Sequence, residues 1–543
     1  MNCDYTLGYC HNGKSRFINN KTDCDHYTLT VTDTGNRRTV VITAKEDVSL
    51  LYYKEKGVFG ETPIEEDDLF LLNGYQSWTD TKETYISEKE HNLKKLPRRL
   101  IDAFSFDRYG DYTFYDYNKN ILHGYDVFYK KGKNCAFIGS VNNKNAYLII
   151  ELNRKSGEIT LTGDVKGKDL KAGDSFTLCD YVYGDNIEKT LKFYKEFFSA
   201  KPYKKIFGYT SWYNYYEDIN EEIILRDLSA LDSRFNLFQI DDGFETAVGD
   251  WLSVDNEKFP NGLSGIVSAV HKKGFMAGIW LAPFVAEEKS RLFSEKQDWF
   301  CKDEKGELIK CGANWSGFYA LDLQNNEVRN YIKGCLKVYA DMGFDFFKLD
   351  FLYGANLPAY KGKTRCEAAE FAYNLLREAL PDKLILGCGA TTINAAEKFD
   401  YLRIGPDVSL SFDDVFYMRF MHRERVSTKV TLQNTIYRSF MNGLFFGNDP
   451  DVFLLRDDNI SLTAEQKKAL ITINALFGSV LMTSDNIADY DEDKKATLDR
   501  TLSLFKNGKV TSFERDKNKI NITYMIDGES HKITYHTESG VLI

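Results

Sequence analysis

Histidine is scarce in this chain. There are eight in 543 residues, and between residues 203 and 460 only His271 and His422 occur, both in stretches with helical spacing. No HxH or HExxH pattern is present, which removes the usual sequence signatures of a zinc site. A basic surface is missing as well. The formal net charge is −10, and no stretch interleaves Lys or Arg with aromatics, so nucleic acid and anionic membranes are excluded as natural partners. No apolar run reaches the length of a membrane span, and the first residues lack the basic-then-apolar pattern of a secretory leader. The ten cysteines are scattered without a CxxC pair, which argues against a disulfide framework or a zinc knuckle. The expectation is a soluble, cytoplasmic protein with free thiols and no metal or other cofactor.

Aromatic residues, by contrast, are abundant: 34 Tyr and 38 Phe. Such a content suits stacking on sugar rings, although it more often builds cores. The length predicts two or three domains.

The organising stretch is Gly343-Phe-Asp-Phe-Phe-Lys-Leu-Asp-Phe-Leu-Tyr353. Phe344, Phe346, Phe347, Leu349 and Phe351 make a near-continuous apolar run of strand length, the pattern of a strand buried on both faces. Lys348 and Asp350 interrupt it two residues apart, so both project to the same side. Buried charge is expensive unless paired or used.

The rest of the chain falls into three parts. Residues 1–200 alternate apolar and polar side chains in short runs, such as Tyr27–Thr32 and Ala146–Leu152, separated by Gly, Asn and Asp turns. They predict an antiparallel β-sandwich followed by a linker helix over 186–200. Residues 201–460 switch to strand–helix alternation. Strands are expected at 205–212, 235–242, 274–283, 344–351, 383–388, 401–405, 429–432 and 443–448, with helices over 220–233, 263–273, 327–342, 365–380 and 413–426 between most of them. That is the pattern of a (β/α)8 barrel. Residues 461–543 read as a helical connection and a small antiparallel β domain closed by an Asp527-Gly528 hairpin.

Active sites of such barrels lie at the C-terminal strand ends, and the unexpected polar residues fall there. Expected strand one ends at Ser211-Trp-Tyr-Asn214, strand two at Gln239-Ile-Asp-Asp-Gly-Phe244 and strand three at Trp280-Leu-Ala-Pro-Phe284. Strand six ends at Arg403-Ile-Gly-Pro-Asp407 and strand eight at Asn448-Asp-Pro-Asp451. Each motif alone is explicable as a turn or a helix cap; a series of acids and aromatics at consecutive strand ends is not. An all-oxygen Mg²⁺ site stays open. A Schiff base through Lys348 is disfavoured because Asp350 on the same face keeps the amine charged. Glycoside hydrolysis fits best, since it needs two carboxyls, hydrogen-bonding charges for hydroxyls and aromatic walls.

These motifs, with Phe347-Lys-Leu-Asp-Phe-Leu352, Gly387-Cys-Gly389 and Asn73-Gly-Tyr-Gln-Ser-Trp78, resemble glycoside hydrolase family 36, the α-galactosidases of clan D. The resemblance implies a retaining exo-α-galactosidase acting on oligosaccharides, with Asp350 as nucleophile and Asp407 as acid/base. It implies that Asp241 and Asp242 grip O4 and O6, and that Lys348 and Arg403 bind other hydroxyls and keep Asp350 ionised. Trp78, Trp212 and Trp280 would wall the pocket, and Cys388 would lie near the sugar's C2. Gly387-Cys-Gly-Ala390 departs from a Ser/Gly-rich form of the family, which leaves galactose against N-acetylgalactosamine open. An α-N-acetylgalactosaminidase or a transferase with the same machinery is the alternative reading, and a catalytically silent sugar-binding protein the outside one. Homo-oligomer formation is left open.

Overall fold

The computed structural model describes residues 3–57, 64–199, 203–358 and 360–543. Residues 4–184 form two seven-stranded antiparallel sheets. Their apolar faces meet in a core that includes Leu7, Tyr27, Val40, Ile42, Leu50 and Phe128. Alternation drives this packing: in Arg37–Ala44 the buried positions recur every second residue, one face inward and one outward. The helix expected over 186–200 is observed as Ile187–Lys195, with the Asn186 side chain accepting from the Lys189 amide. The boundary expected at residues 200/201 lies outside the described residues.

The central sheet is parallel. Its strands run Ile206–Thr210, Leu237–Ile240, Met276–Leu281, Phe346–Leu349, Leu384–Gly387 and Tyr401–Arg403, each pairing with the next. Tyr401–Arg403 then pairs with Gly447–Asp449, while Val452–Phe453 pairs with Val480–Thr483, which returns to Ile206–Thr210. Gly447–Asp449 and Val452–Phe453 are separated only by Pro450 and Asp451, so they are two halves of one strand and the sheet closes on itself. The result is an eight-strand (β/α)8 arrangement.

Two of its strands are not where the sequence pattern puts them. Residues 429–432 are helical, part of Thr428–Tyr437, capped by Ser427. That helix is buried nearly all round, so it lacks an amphipathic period, and its Val430, Thr431 and Leu432 imitate a strand. Strand seven is instead the segment expected as strand eight. The eighth strand, Val480–Thr483, lies beyond residue 460, in the stretch expected to be a helical connection; the helix there ends at Phe477. The helix expected over 413–426 is, apart from the four residues Phe416–Arg419, irregular.

Helix starts follow capping chemistry. Asn220 caps Glu221–Ala230, and Thr364 and Thr463 form capping boxes with Glu367 and Gln466, satisfying amides that would otherwise lack partners. The insertion between strands three and four carries a three-stranded sheet that brings Asn314 and Trp315 over the barrel. At the C-terminus, Lys519–Ile526 and Glu529–His536 pair across Asp527 (φ 52°) and Gly528 (φ 84°), both left-handed, as a tight hairpin turn requires. No helix among the described residues is long and apolar enough to cross a membrane.

Closure by Val480–Thr483 has a consequence. A chain cut after residue 460 leaves strands one and seven without their shared neighbour, and we expect it to lose near-ultraviolet circular dichroism and cooperative urea unfolding, where the full chain shows both.

Candidate active site

A cavity of about 410 Å³ opens at the C-terminal ends of the barrel strands. Its floor is acidic. Strand four delivers Lys348, and Asp350 follows it immediately; both are buried. Phe351 then takes a left-handed conformation (φ 52°), which costs a residue with a Cβ about 1–2 kcal/mol. This turn lets the Phe351 amide donate to Asp350 Oδ1 at 2.8 Å. The Trp280 indole N–H, from strand three, donates to Asp350 Oδ2 at 3.1 Å. Burial pushes the Asp350 carboxyl above its ordinary value; the Lys348 charge pulls it down, and Asp407 pushes it up again.

Lys348 does not hydrogen-bond Asp350. Its ammonium donates to Asp241 Oδ2 at 2.8 Å, and that oxygen also accepts from Thr210 Oγ1 at 3.0 Å and Gln239 Nε2 at 2.6 Å. Gln239 has room inside the barrel because strand three carries Gly278, where a Cβ would sit 3.0 Å from the Gln239 side chain. Asp242 accepts from the Trp315 indole at 2.9 Å. Burial raises both Asp242 and its neighbour Glu245, since two desolvated acids in contact cannot both ionise cheaply.

Asp407 stands at the rim with its side chain 36% exposed, held by Arg403 Nη1 at 3.0 Å. Arg403 itself is 1% exposed and does not line the cavity. Its other nitrogens bind Asp449 at 2.9 Å and Asp451 at 2.8 Å, and the Tyr213 hydroxyl donates to Asp451. Three carboxylates, from its own strand and the next, thus surround Arg403 behind the residues that line the cavity. Cys388, just past strand five, is buried and absent from the lining; burial pushes its thiol up, and the charges of Asp350, Arg403 and Lys348 act on it.

Trp78, Trp212 and Trp280 line the cavity together with Asp241, Asp242, Lys348, Asp350 and Asp407. Trp78 comes from the N-terminal sandwich, and a buried arginine holds its loop in place. Arg438, just past the helix Thr428–Tyr437, donates from Nε to Asn73 Oδ1 at 3.0 Å and from Nη2 to the Gln76 carbonyl at 3.0 Å. Nη1 donates to the Ser77 carbonyl and, at 2.8 Å, to the Ile404 carbonyl. One guanidinium thus ties the Trp78 loop to the strand that leads to Asp407, using donors fixed in a planar fork.

Several lining residues escaped sequence reasoning: Phe104, Phe106 and Tyr109 from the sandwich, Trp315 from the insertion, and Met418, His422, Glu424 and Arg425 from the segment after Asp407. Trp315 alone left a signal, as a tryptophan in a long insertion at the barrel mouth. The others lie in segments without periodicity.

Comparison with known proteins follows this geometry. Residues 192–377 match the family model described as Melibiase. The matched segment contains Asp241, Asp242, Lys348 and Asp350, while Trp78, Arg403 and Asp407 lie outside it. The chain is 28% identical over 197 residues to α-galactosidase Mel36A of Lactobacillus acidophilus, covering 33% of this chain and 26% of that protein. It is equally 28% identical over 189 residues to α-xylosidase XylQ of Lactiplantibacillus pentosus, covering 33% and 24%. The matches span about a quarter of the length of these two relatives. Similarity of fold reaches further. The Thermus thermophilus α-galactosidase TtGalA superposes with a TM-score of 0.71 at 24% identity, covering 93% of this chain and 98% of that one. The family 36 α-galactosidase AgaA of Geobacillus stearothermophilus superposes at 0.64 with 14% identity, covering 94% and 73%. The family read from the strand-end motifs is the one to which these comparisons lead.

The Arg438 clamp between the Trp78 loop and Ile404 is testable by substitution. Arg438→Met leaves several buried carbonyls without donors, and we expect a loss of about 3 kcal/mol or more, since each such group costs roughly 1–3 kcal/mol. The checks are the urea midpoint and a red shift of tryptophan emission that a Trp78→Phe background removes.

Proposed function

We propose that the protein is a retaining exo-α-galactosidase. The observation that carries this reading is the pairing of two differently placed acids. Asp350 lies buried at the cavity floor with two donors on its oxygens, and Asp407 stands at the half-open rim, two strands away around the barrel, on a buried arginine. Chemistry at an anomeric carbon calls for such a division: a nucleophile shielded from water and an acid where the leaving group departs.

In the first step an Asp350 oxygen bonds to the anomeric carbon while the glycosidic C–O bond breaks, and the Asp407 proton passes to the leaving oxygen. In the second, water bonds to the same carbon, Asp407 takes the proton from that water, and Asp350 leaves as a carboxylate. Two inversions give net retention. Asp241, paired with the Lys348 ammonium, and Asp242, oriented by Trp315, are placed to accept from the galactose O4 and O6 hydroxyls. Arg403 positions Asp407 without touching the sugar. The matches to Mel36A and TtGalA, both described as α-galactosidases, support the substrate class.

Replacement of the nucleophile tests the assignment first. Asp350→Ala is expected to lose at least about 10⁴-fold in hydrolysis of an aryl α-galactoside, in line with loss of a covalent nucleophile, and added azide should yield β-galactosyl azide. Near-normal turnover without azide would overturn the role. Asp407→Ala should slow a galactoside with a poor leaving group far more than a nitrophenyl galactoside, whose departure needs no proton; equal losses on both count against an acid role.

The pH dependence follows from the same geometry. Asp350 must be ionised to attack, and burial raises it, so the acid-side fall of kcat/KM lies at higher pH than an ordinary aspartate would give. Trp280→Phe removes a donor that favours the carboxylate. The acid limb of the kcat/KM profile should therefore move to higher pH, with maximal kcat/KM approached again on the alkaline side.

A further inference from the structure

The cavity changes character from floor to mouth. The floor is ionic; above it, one wall is a continuous aromatic row. Phe351, next to Asp350, meets Trp78 with ring centroids 5.4 Å apart, and Trp78 meets Tyr109 at 6.4 Å. Tyr109 meets His422 at 6.1 Å, His422 meets Phe106 at 5.3 Å, and Phe106 stacks on Phe104 at 5.2 Å. All six rings line the cavity, and the row ends in Phe104, which is 52% exposed.

His422 belongs to this wall as a neutral ring. Its Nε2 hydrogen-bonds the Phe106 carbonyl at 3.1 Å, and burial holds it down at about 3. The ionic groups nearby are engaged inside the protein. Arg425 donates to Asp413 at 3.0 Å, and Glu424 accepts from Thr79 at 2.7 Å. Met418 and Val426 also line the cavity, and Phe416 and Phe420, whose rings meet at 5.0 Å, are exposed, Phe416 to 75%.

We infer that this row is an aglycone site for an apolar group, an aryl ring or hydrocarbon chain attached to the galactose, in preference to a second sugar. The inference rests on the proposed α-galactosidase reading, because the row begins at Phe351, next to the proposed nucleophile Asp350. A galactose on the acidic floor points its anomeric substituent outward along these rings. The carboxylates proposed to grip sugar hydroxyls, Asp241 and Asp242, are on the floor, and along the row the Tyr109 hydroxyl already donates to Asn314 Oδ1 at 2.7 Å. Each methylene buried against the wall is worth about fourfold in affinity.

The test is a series of α-galactosides with methyl, butyl and octyl aglycones, with raffinose as the polar comparison. Turnover is measured on the full-length protein and binding on its Asp350→Asn variant. We expect kcat/KM to rise at least tenfold from methyl to octyl and raffinose to fall below octyl. Phe104→Ser, at a half-exposed position, should flatten the gradient several-fold while its urea midpoint stays unchanged. Turnover of all substrates without a gradient, or with raffinose preferred, would overturn the aglycone site and leave the proposed function standing. Tighter binding of octyl than methyl galactoside without turnover would do the reverse. Absence of both turnover and binding would sink both. A flat gradient together with a dimer in sedimentation that Phe416→Ser dissolves would assign the surface to a second copy of this chain instead.

Discussion

The rim of the barrel depends on one buried guanidinium. Arg403 is surrounded by Asp407, Asp449 and Asp451, three negative groups around a single positive one. Its planar guanidinium donates from Nε to Asp449 and from Nη1 to Asp407, and Nη2 pairs ionically with Asp451. The surplus of negative charge has to go somewhere. Burial pushes Asp451 up, and the Tyr213 hydroxyl and the Val408 amide donate to it. Strand six, strand seven and the turn after strand one are therefore held in one register at the place where Asp407 leaves the sheet. Pro450 and the left-handed Asp451 (φ 75°) break strand seven so that its acids can turn inward, and this break is also where the closed sheet changes neighbours.

A second guanidinium does for the domain interface what the first does for the rim. Arg438 has no carboxylate among its hydrogen-bond partners; it is satisfied by oxygens of Asn73, Gln76, Ser77 and Ile404. Such a group cannot stay buried unless the loop and the strand keep their places, because removing either leaves a desolvated charge. Trp78 is thus a fixed part of the cavity although it belongs to a separate sandwich. The same interface supplies Tyr109, Phe106 and Phe104, so the barrel provides the ionic chemistry and the sandwich provides much of the apolar wall.

The parts of the architecture that were readable share a cause. Strands four and three, the sandwich strands and the C-terminal hairpin declare themselves by short-range rules: apolar runs, alternation and turn residues. The pattern failed at residues 429–432, where a helix buried on all sides carries β-branched residues and has no polar face. It failed again at Val480–Thr483, whose apolar residues follow a buried helix so directly that the two read as one element. Among site residues, Asp350, Asp407, Asp241 and Asp242 were legible because a charge at the end of an apolar strand has no ordinary reason to be there. The three carboxylates around Arg403 were not legible, since Asp449 and Asp451 reach it only through the pairing of strands six and seven.

Sequence alone determined the kind of chemistry available: acids and one lysine spaced along buried strands, aromatics in abundance and few histidines to hold a metal. Periodicity and spacing are local properties, and they survive in a one-dimensional reading. Tertiary structure alone decided which of those groups face the cavity, that Lys348 pairs with Asp241 and not Asp350, that Arg403 stands behind Asp407, and that rings from another domain form the outer wall. Those outcomes depend on contacts between residues up to several hundred positions apart, whose energies arise only once the barrel has closed and water has left.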